Sequence, residues 1–381
     1  MATFVGGGTP SKSRPEFFQG DIPWVSPKDM KGTEIFDSED RITPQAIEAS
    51  ATRLIAPGAV LVVVRSGVLK HTLPVAINRV PVTINQDLKA LRCSERLVPE
   101  YLLHFLRASA PRILQRVRGT TADNIPVDTL RALQLALPEL DEQRSIAAVL
   151  GQADALRHKR LLSLDRLASL RQAVFVEMFG DPARNPRGWP VVTIGSLLKS
   201  ASYGSSRRAS SSGAYPMLRM NNITRTGELN LTDLKFVDLD ASEQSKYLVE
   251  DGELLFNRTN SPELVGKTTV YRGPTRMAFA GYLVRLVTES PHSAEYLSAL
   301  LNSGYGKRRL RGMCKSIIGM ANINAREIQA LAIPNPPLGL QAEFAQAVAR
   351  LESSKTTVRG SLRLLDGLFN SLQHRIFGGE L

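Results

Sequence analysis

Five consecutive residues, Asn257-Arg258-Thr259-Asn260-Ser261, set two amides, a guanidinium and two hydroxyls side by side. Such groups hydrogen-bond to the edges of nucleic-acid bases. A later cluster, Lys307, Arg308 and Arg311, is almost purely cationic and suits phosphates. Clustering, small polar neighbours and placement in loops after strands select further candidates. In the first part of the chain these are Lys12, Arg14, Lys28, Arg65, Ser66, Lys70 and Arg118. In the second they are Tyr203, Arg207, Arg208 and Lys267. A solvated basic surface would account for any one of them alone. Trp24 is expected in the core rather than stacked on a base.

Chemistry of other kinds finds little support. No GxxxxGK[ST] loop exists to cradle nucleotide phosphates, since Gly6-Gly7-Gly8 runs into Thr9-Pro10. The five histidines, His71, His104, His158, His292 and His374, lack metal-ligand spacing. Asn335-Pro336-Pro337 resembles the turn with which an amino-methyltransferase grips a flipped adenine. Leu338 follows it instead of an aromatic ring, and no glycine-rich cofactor loop precedes it. Cys93 and Cys314 are far apart and read as two reduced thiols. No catalytic, metal or cofactor residue is expected in this chain.

Charge points the same way as the loops. The 381 residues carry a formal net charge of +12, which favours a polyanionic partner. The excess is +4 over residues 1–137 and +6 over 188–335, but only +1 over each of 138–187 and 336–381. Two basic blocks thus alternate with two nearly neutral ones. No apolar run is long enough to span a membrane. Met1-Ala2-Thr3-Phe4 does not open a secretory signal, so a cytoplasmic location is expected.

The elements that position these residues repeat. Asn124-Ile125 recurs as Asn322-Ile323, 198 residues later. The same offset joins Leu133 to Leu331, Pro138 to Pro336, Gln143 to Gln341 and Phe179-Gly180 to Phe377-Gly378. The best-matched blocks predict two long helices entered at Pro138 and at Pro336-Pro337. Heptad steps through 146, 149, 153, 156, 160, 163, 167, 170 and 174, and through the positions 198 further on, predict a seam. Packed against each other, the two stripes would form an antiparallel coiled coil. The less-matched blocks predict α/β domains, with strands at Ala59–Val64 and Glu253–Phe256 and short amphipathic helices at Tyr101–Leu106 and Tyr296–Leu301.

At these residues the chain resembles the specificity subunits of type I restriction–modification systems. GGTPSKSRPEFFQGDIPWVSPKDM (Gly7–Met30) is similar to the start of their first target-recognition domain. LPELDEQRSIAAVLGQADALRHKR (Leu137–Arg160) and VFVEMFGDP (Val174–Pro182) resemble their central helix and its exit. LLFNRTNSPELVGKTTVY (Leu254–Tyr271) resembles a strand and loop of the recognition domains, and PPLGLQ (Pro336–Gln341) and RIFGGEL (Arg375–Leu381) the distal helix. One departure is GWPVVTIGSLL (Gly188–Leu198), which has no counterpart in the first half.

The resemblance implies an α/β fold class with two target-recognition domains, 1–137 and 188–335. Two helical segments, 138–187 and 336–381, would separate them as an antiparallel coiled coil with a pseudo-twofold repeat. Each domain would read one half of a split, asymmetric site in double-stranded DNA. The helices would set the gap and hold two methyltransferase subunits, and restriction/translocase subunits would complete the assembly. S-adenosylmethionine, ATP and Mg2+ would be used by those partners. The alternative is a coiled-coil DNA-binding regulator that acts alone.

Overall fold

The β-branched run after Pro57-Gly58 forms the Val60–Val63 strand, with all four side chains buried. The turn before it needs Gly58, whose φ of +90° disfavours any side chain. Asn78, fully buried, ties that turn down: its Oδ1 accepts from Ala59 N and its Nδ2 donates to Ala56 O, both at 2.9 Å. The computed structural model describes residues 1–117, 123–317 and 320–378. Arg118 therefore lies outside the described residues.

The chain divides into two compact units, Met1–Arg160 with Ser361–Leu381, and Leu161–Gly360. In the first, a five-stranded sheet has the order Ala2–Gly6, Leu88–Cys93, Val60–Val63, Val75–Asn78, Glu34–Ile35. The first four strands are antiparallel to their neighbours and the last is parallel. The Pro99–Ala108 helix buries Tyr101 through Leu106 in the same apolar core. Trp24 is in the core as expected, its Nε1 donating to Gly8 O at 3.0 Å.

The second unit repeats this plan. Its main sheet runs Leu198–Tyr203, Leu283–Thr288, Leu254–Asn257, Thr268–Val270, the first four positions of the earlier sheet over again. The Ala294–Asn302 helix covers it, burying Tyr296 through Leu301. The segment without a counterpart has its own partner: Val191–Thr193 pairs antiparallel with Ala332–Pro334.

Both long helices form. They span Leu140–Phe179 and Leu338–Phe377, 40 residues each, or about 60 Å, and their ends keep the 198-residue offset. In the first unit Leu150 and Ala153 cluster with Phe369, flanked by Ile146, Leu372 and Ile376. In the second, the Phe175 and Phe179 rings lie 5.8 and 5.3 Å from Phe344. Early residues of one helix meet late residues of the other in each unit, so the pair is antiparallel.

The seam is the predicted one only in part: Ala153 and Phe344 are buried in it, and Ile146 and Leu372 flank it. Val149 and Leu156, expected inside, are each 47% exposed, and Leu170 and Leu368 are exposed as well. Of the other buried positions, Ala147, Leu150, Arg171 and Phe175 each follow a predicted one by one residue, and Gln143 and Phe179 continue that stripe. A one-residue shift turns a helix by about 100°. Leucine and valine occupy both candidate stripes, so apolar count alone does not choose between them. The stripe that wins carries small alanines and side chains with partners in the α/β cores. Arg171, for example, pairs with the buried Glu295 at 2.7 Å, where Arg272 also lands. In the first unit Arg157 bridges Asp366 at 2.6 Å and Asp154 at 3.1 Å, and Arg107 joins Asp154 at 2.6 Å.

Candidate nucleic-acid interface

The Leu254–Asn257 strand delivers the polar loop of the second unit, but its last residue does not face outward. Asn257 is fully buried, with Nδ2 donating to Met220 O at 3.3 Å. Lys267 is buried too, donating from Nζ to Met220 O at 2.8 Å and to Ile223 O. Burial, with Arg225 adding to it, pushes the Lys267 ammonium below its usual range. Both residues were expected to touch DNA. Each instead satisfies backbone carbonyls of the Met220–Ile223 turn, because a buried carbonyl without a donor costs about 1–3 kcal/mol.

Arg258 lies at the edge of this core. Its guanidinium stacks 4.8 Å over the Tyr203 ring, whose hydroxyl accepts from Ala325 N at 2.9 Å. The backbone of Arg258 is held on both sides, N–H donating to Tyr282 O at 3.0 Å and O accepting from Ile323 N at 2.9 Å. Thr259-Asn260 pairs antiparallel with Ala321-Asn322. Asn260 Oδ1 accepts from Ser261 N at 2.9 Å, and Ser261 O takes the amides of Leu264 and Val265. Arg258, Tyr203, Asn260 and Ser261 thus come together on a stiff support, with the half-exposed Tyr282 beside them.

The cationic helix forms at Gly304–Met313, capped by the Ser303 hydroxyl, and presents Arg308 and Arg311 to solvent. Lys307 is half-buried and donates to Arg225 O at 3.2 Å. Arg207 is drawn elsewhere, to Glu243 at 2.8 Å and Asp240 at 3.6 Å, while Arg208 stays exposed.

In the first unit Lys12 and Arg14 are exposed, Arg14 lying 5.3 Å over the Phe17 ring. Lys28 is committed to Asp40 at 2.8 Å and Glu39 at 3.4 Å. Arg65 is exposed and 3.6 Å from Asp87. Ser66 caps the short Gly67–Lys70 helix from its hydroxyl, and Lys70 is exposed at its end. Lys28 and Arg207, each held by two carboxylates, are therefore weaker candidates than their sequence neighbours suggested.

Three further arginines join the candidates. Arg225 sits in a polar turn ending at Gly227, and nothing local ties it to the cationic helix. Arg112 and Arg116 line a cleft of about 140 Å³ with Thr129 and Gln134 in the first unit. Arg112 lies on the short Ala110–Leu114 helix that follows the Tyr101 helix, as the Lys307 helix follows Tyr296, and Arg116 lies just past its end.

Among the described residues no cluster of three or more His, Cys, Asp or Glu could hold a metal ion, and no helix is long and apolar enough to cross a membrane. Cys93 and Cys314 are free thiols, and burial pushes Cys93 up to about 11.

The chain is thus a duplicated α/β protein, with basic loops on each copy and two long antiparallel helices. Residues 1–166 match the family model described as the type I restriction modification DNA specificity domain. The chain is 38% identical over 175 residues to the type I restriction enzyme EcoR124I/EcoR124II specificity subunit of Escherichia coli, covering 45% of this chain and less than half, 43%, of that relative. It is 25% identical over 406 residues to the StySPI specificity subunit of Salmonella potsdam, covering 100% of this chain and 87% of the other. The solved type I restriction-modification S subunit from M. genitalium shares the fold at TM-score 0.62 and 14% identity, covering 99% and 93% of the two chains. Residues 1–166 thus match the type I DNA specificity domain, and the whole chain is similar to type I restriction enzyme specificity subunits.

Proposed function

We propose that this chain is the non-catalytic, sequence-reading subunit of a cytoplasmic type I restriction–modification complex. Each α/β domain, residues 1–137 and 188–335, reads one half of a bipartite site in double-stranded DNA. The helical segments, 138–187 and 336–381, set the gap and dock two methyltransferase subunits, to which restriction subunits add. S-adenosylmethionine, ATP and Mg2+ belong to those partners. One observation carries this reading: the four-strand order recurs and both long-helix boundaries repeat 198 residues on, so one chain holds two equivalent reading heads. The apolar side chains left exposed on the long helices support docking. They include Val149, Leu156, Leu364 and Leu368 in the first unit, and Leu161, Leu162, Leu170 and Val176 in the second. Exposed apolar surface of that kind marks protein contacts.

The test is methylome sequencing of cells that express this chain with its cognate methyltransferase subunit. The expected outcome is one motif of two unlike specific halves separated by a fixed unspecified gap. A continuous motif, or tight site-specific binding by the chain without methyltransferase subunits, would favour the autonomous regulator instead.

A further inference from the structure

Positive charge is concentrated in the second unit beyond what its carboxylates offset. Lys307 Nζ reaches the backbone of Arg225 at 3.2 Å, and the ammonium is pushed down by burial, with Arg311 and Arg225 adding to it. The Gly304–Met313 helix also carries Arg308 and Arg309 and has no acidic residue. Glu263 is exposed on the loop that follows Ser261. Its carboxylate is held below its usual range first by the Ser261 hydroxyl, with Arg311 and Arg225 contributing. Cations that disfavour one another's protonation lower their energy when an anion joins them.

The turn that bears Arg225 is fixed from below. Gly227 has φ +82°, and a Cβ there would come within 2.4 Å of Asn302 Nδ2 and 2.6 Å of Thr268 O, so the turn lies directly on the domain. Glu228 follows, and it takes Lys355 of the distal helix on one oxygen and Arg359 on the other at 3.0 Å. Lys355 is 1% exposed and also holds Glu352 at 3.0 Å. A buried ammonium tolerates loss of its carboxylate poorly, so this pair resists opening.

We propose that Arg225, Lys307 and Arg311 form a clamp for a backbone phosphate of duplex DNA, positioned by the Glu228–Lys355 pair and screened by Glu263. The clamp rests on the DNA-reading function proposed above. A phosphate would displace Glu263 and receive charge-assisted hydrogen bonds from the three cations.

The experiment uses the chain assembled with its methyltransferase subunits and duplex oligonucleotides bearing the methylated motif or a scrambled half-site, over a salt series. Arg225→Ala should weaken binding to both duplexes by roughly tenfold and flatten the log–log salt slope by about one. Glu228→Gln should reproduce that loss with the motif unchanged, and add little on top of Arg225→Ala. Glu263→Gln should strengthen binding to both duplexes several-fold, a gain that misfolding cannot produce. An unchanged slope in Arg225→Ala, or weaker binding in Glu263→Gln, overturns the clamp while wild-type recognition stands. Failure of the wild-type assembly to prefer the motif overturns the DNA-reading function, and the clamp with it.

Discussion

Gln143 and Gln341, 198 residues apart, perform the same task in their separate units. Gln143 accepts from Val98 N at 2.9 Å and donates to Arg96 O at 3.0 Å and Pro138 O at 2.8 Å. Gln341 accepts from Ser293 N at 3.1 Å and donates to Asn335 Oδ1 at 3.0 Å and Pro336 O at 2.9 Å. Tyr101 and Tyr296 repeat the theme, donating to Ala136 O and Pro334 O at 3.0 and 2.6 Å. Each long helix is thereby joined at its first turn to the helix that covers its own sheet. Gln143→Ala leaves three part-buried backbone groups, Val98 N, Arg96 O and Pro138 O, without this partner and should destabilise the first unit by about 2 kcal/mol. Chemical denaturation checks this, and a loss under about 1 kcal/mol would refute the anchoring role.

His104 is the buried titratable group with the clearest consequence for pH. Burial, and then the nearby Arg107, hold its imidazole at about 4, although Asp154 and Glu100 act in the opposite sense. The folded state therefore binds the proton more weakly than the unfolded chain, whose histidine titrates near 6.5. This contribution is fully present above about pH 6.5 and is lost as pH falls toward 4, by about 3 kcal/mol over the whole window. His104→Asn should flatten the stability–pH curve between those limits, measured by urea unfolding across the range. An equal slope in variant and wild type would rule the group out.

Arg258 and Arg308 should fail differently. Arg258 is oriented by the Tyr203 ring 4.8 Å beneath it, among amide and hydroxyl groups. Arg258→Ala is expected to cost about 1–3 kcal/mol of discrimination in one half of the motif and leave the other half intact. Tyr203→Leu should give a smaller loss in the same half. Arg308→Ala, on the exposed cationic helix, should weaken binding to all sequences and lower the salt slope. Oligonucleotides varied in one half-site at a time measure both. Equal weakening of cognate and scrambled halves by Arg258→Ala would make it a phosphate contact.

The helices should act as a ruler. Removing Leu161–Leu167 together with Arg359–Leu365 takes one heptad from each 40-residue helix and keeps the seam in phase. Seven residues at about 1.5 Å shorten the pair by roughly 10 Å, close to three base pairs. The methylated motif should keep both halves and lose base pairs from the gap alone. An unchanged gap in the methylome would end the ruler idea.

Much of this protein was legible as pattern. The 198-residue offset located both long helices to their ends, because a duplicated segment with the same local preferences folds the same way twice. The Val60–Val63 and Leu254–Asn257 strands followed from β-branched and apolar runs after glycine turns. Which side of each long helix faces inward was a tertiary decision. Two apolar stripes competed, and buried partners such as Glu295 for Arg171 chose between them. Tertiary structure also divided the candidate contacts. Asn257 and Lys267 carry the right groups for DNA, yet the orphan carbonyls of Met220 and Ile223 claimed them. Arg225 was invisible as a partner of Lys307, 82 residues away in sequence, until the fold brought the two together. Hydrogen-bond demand inside a core depends on which backbone groups are buried there, and that depends on the whole chain rather than on neighbours in sequence.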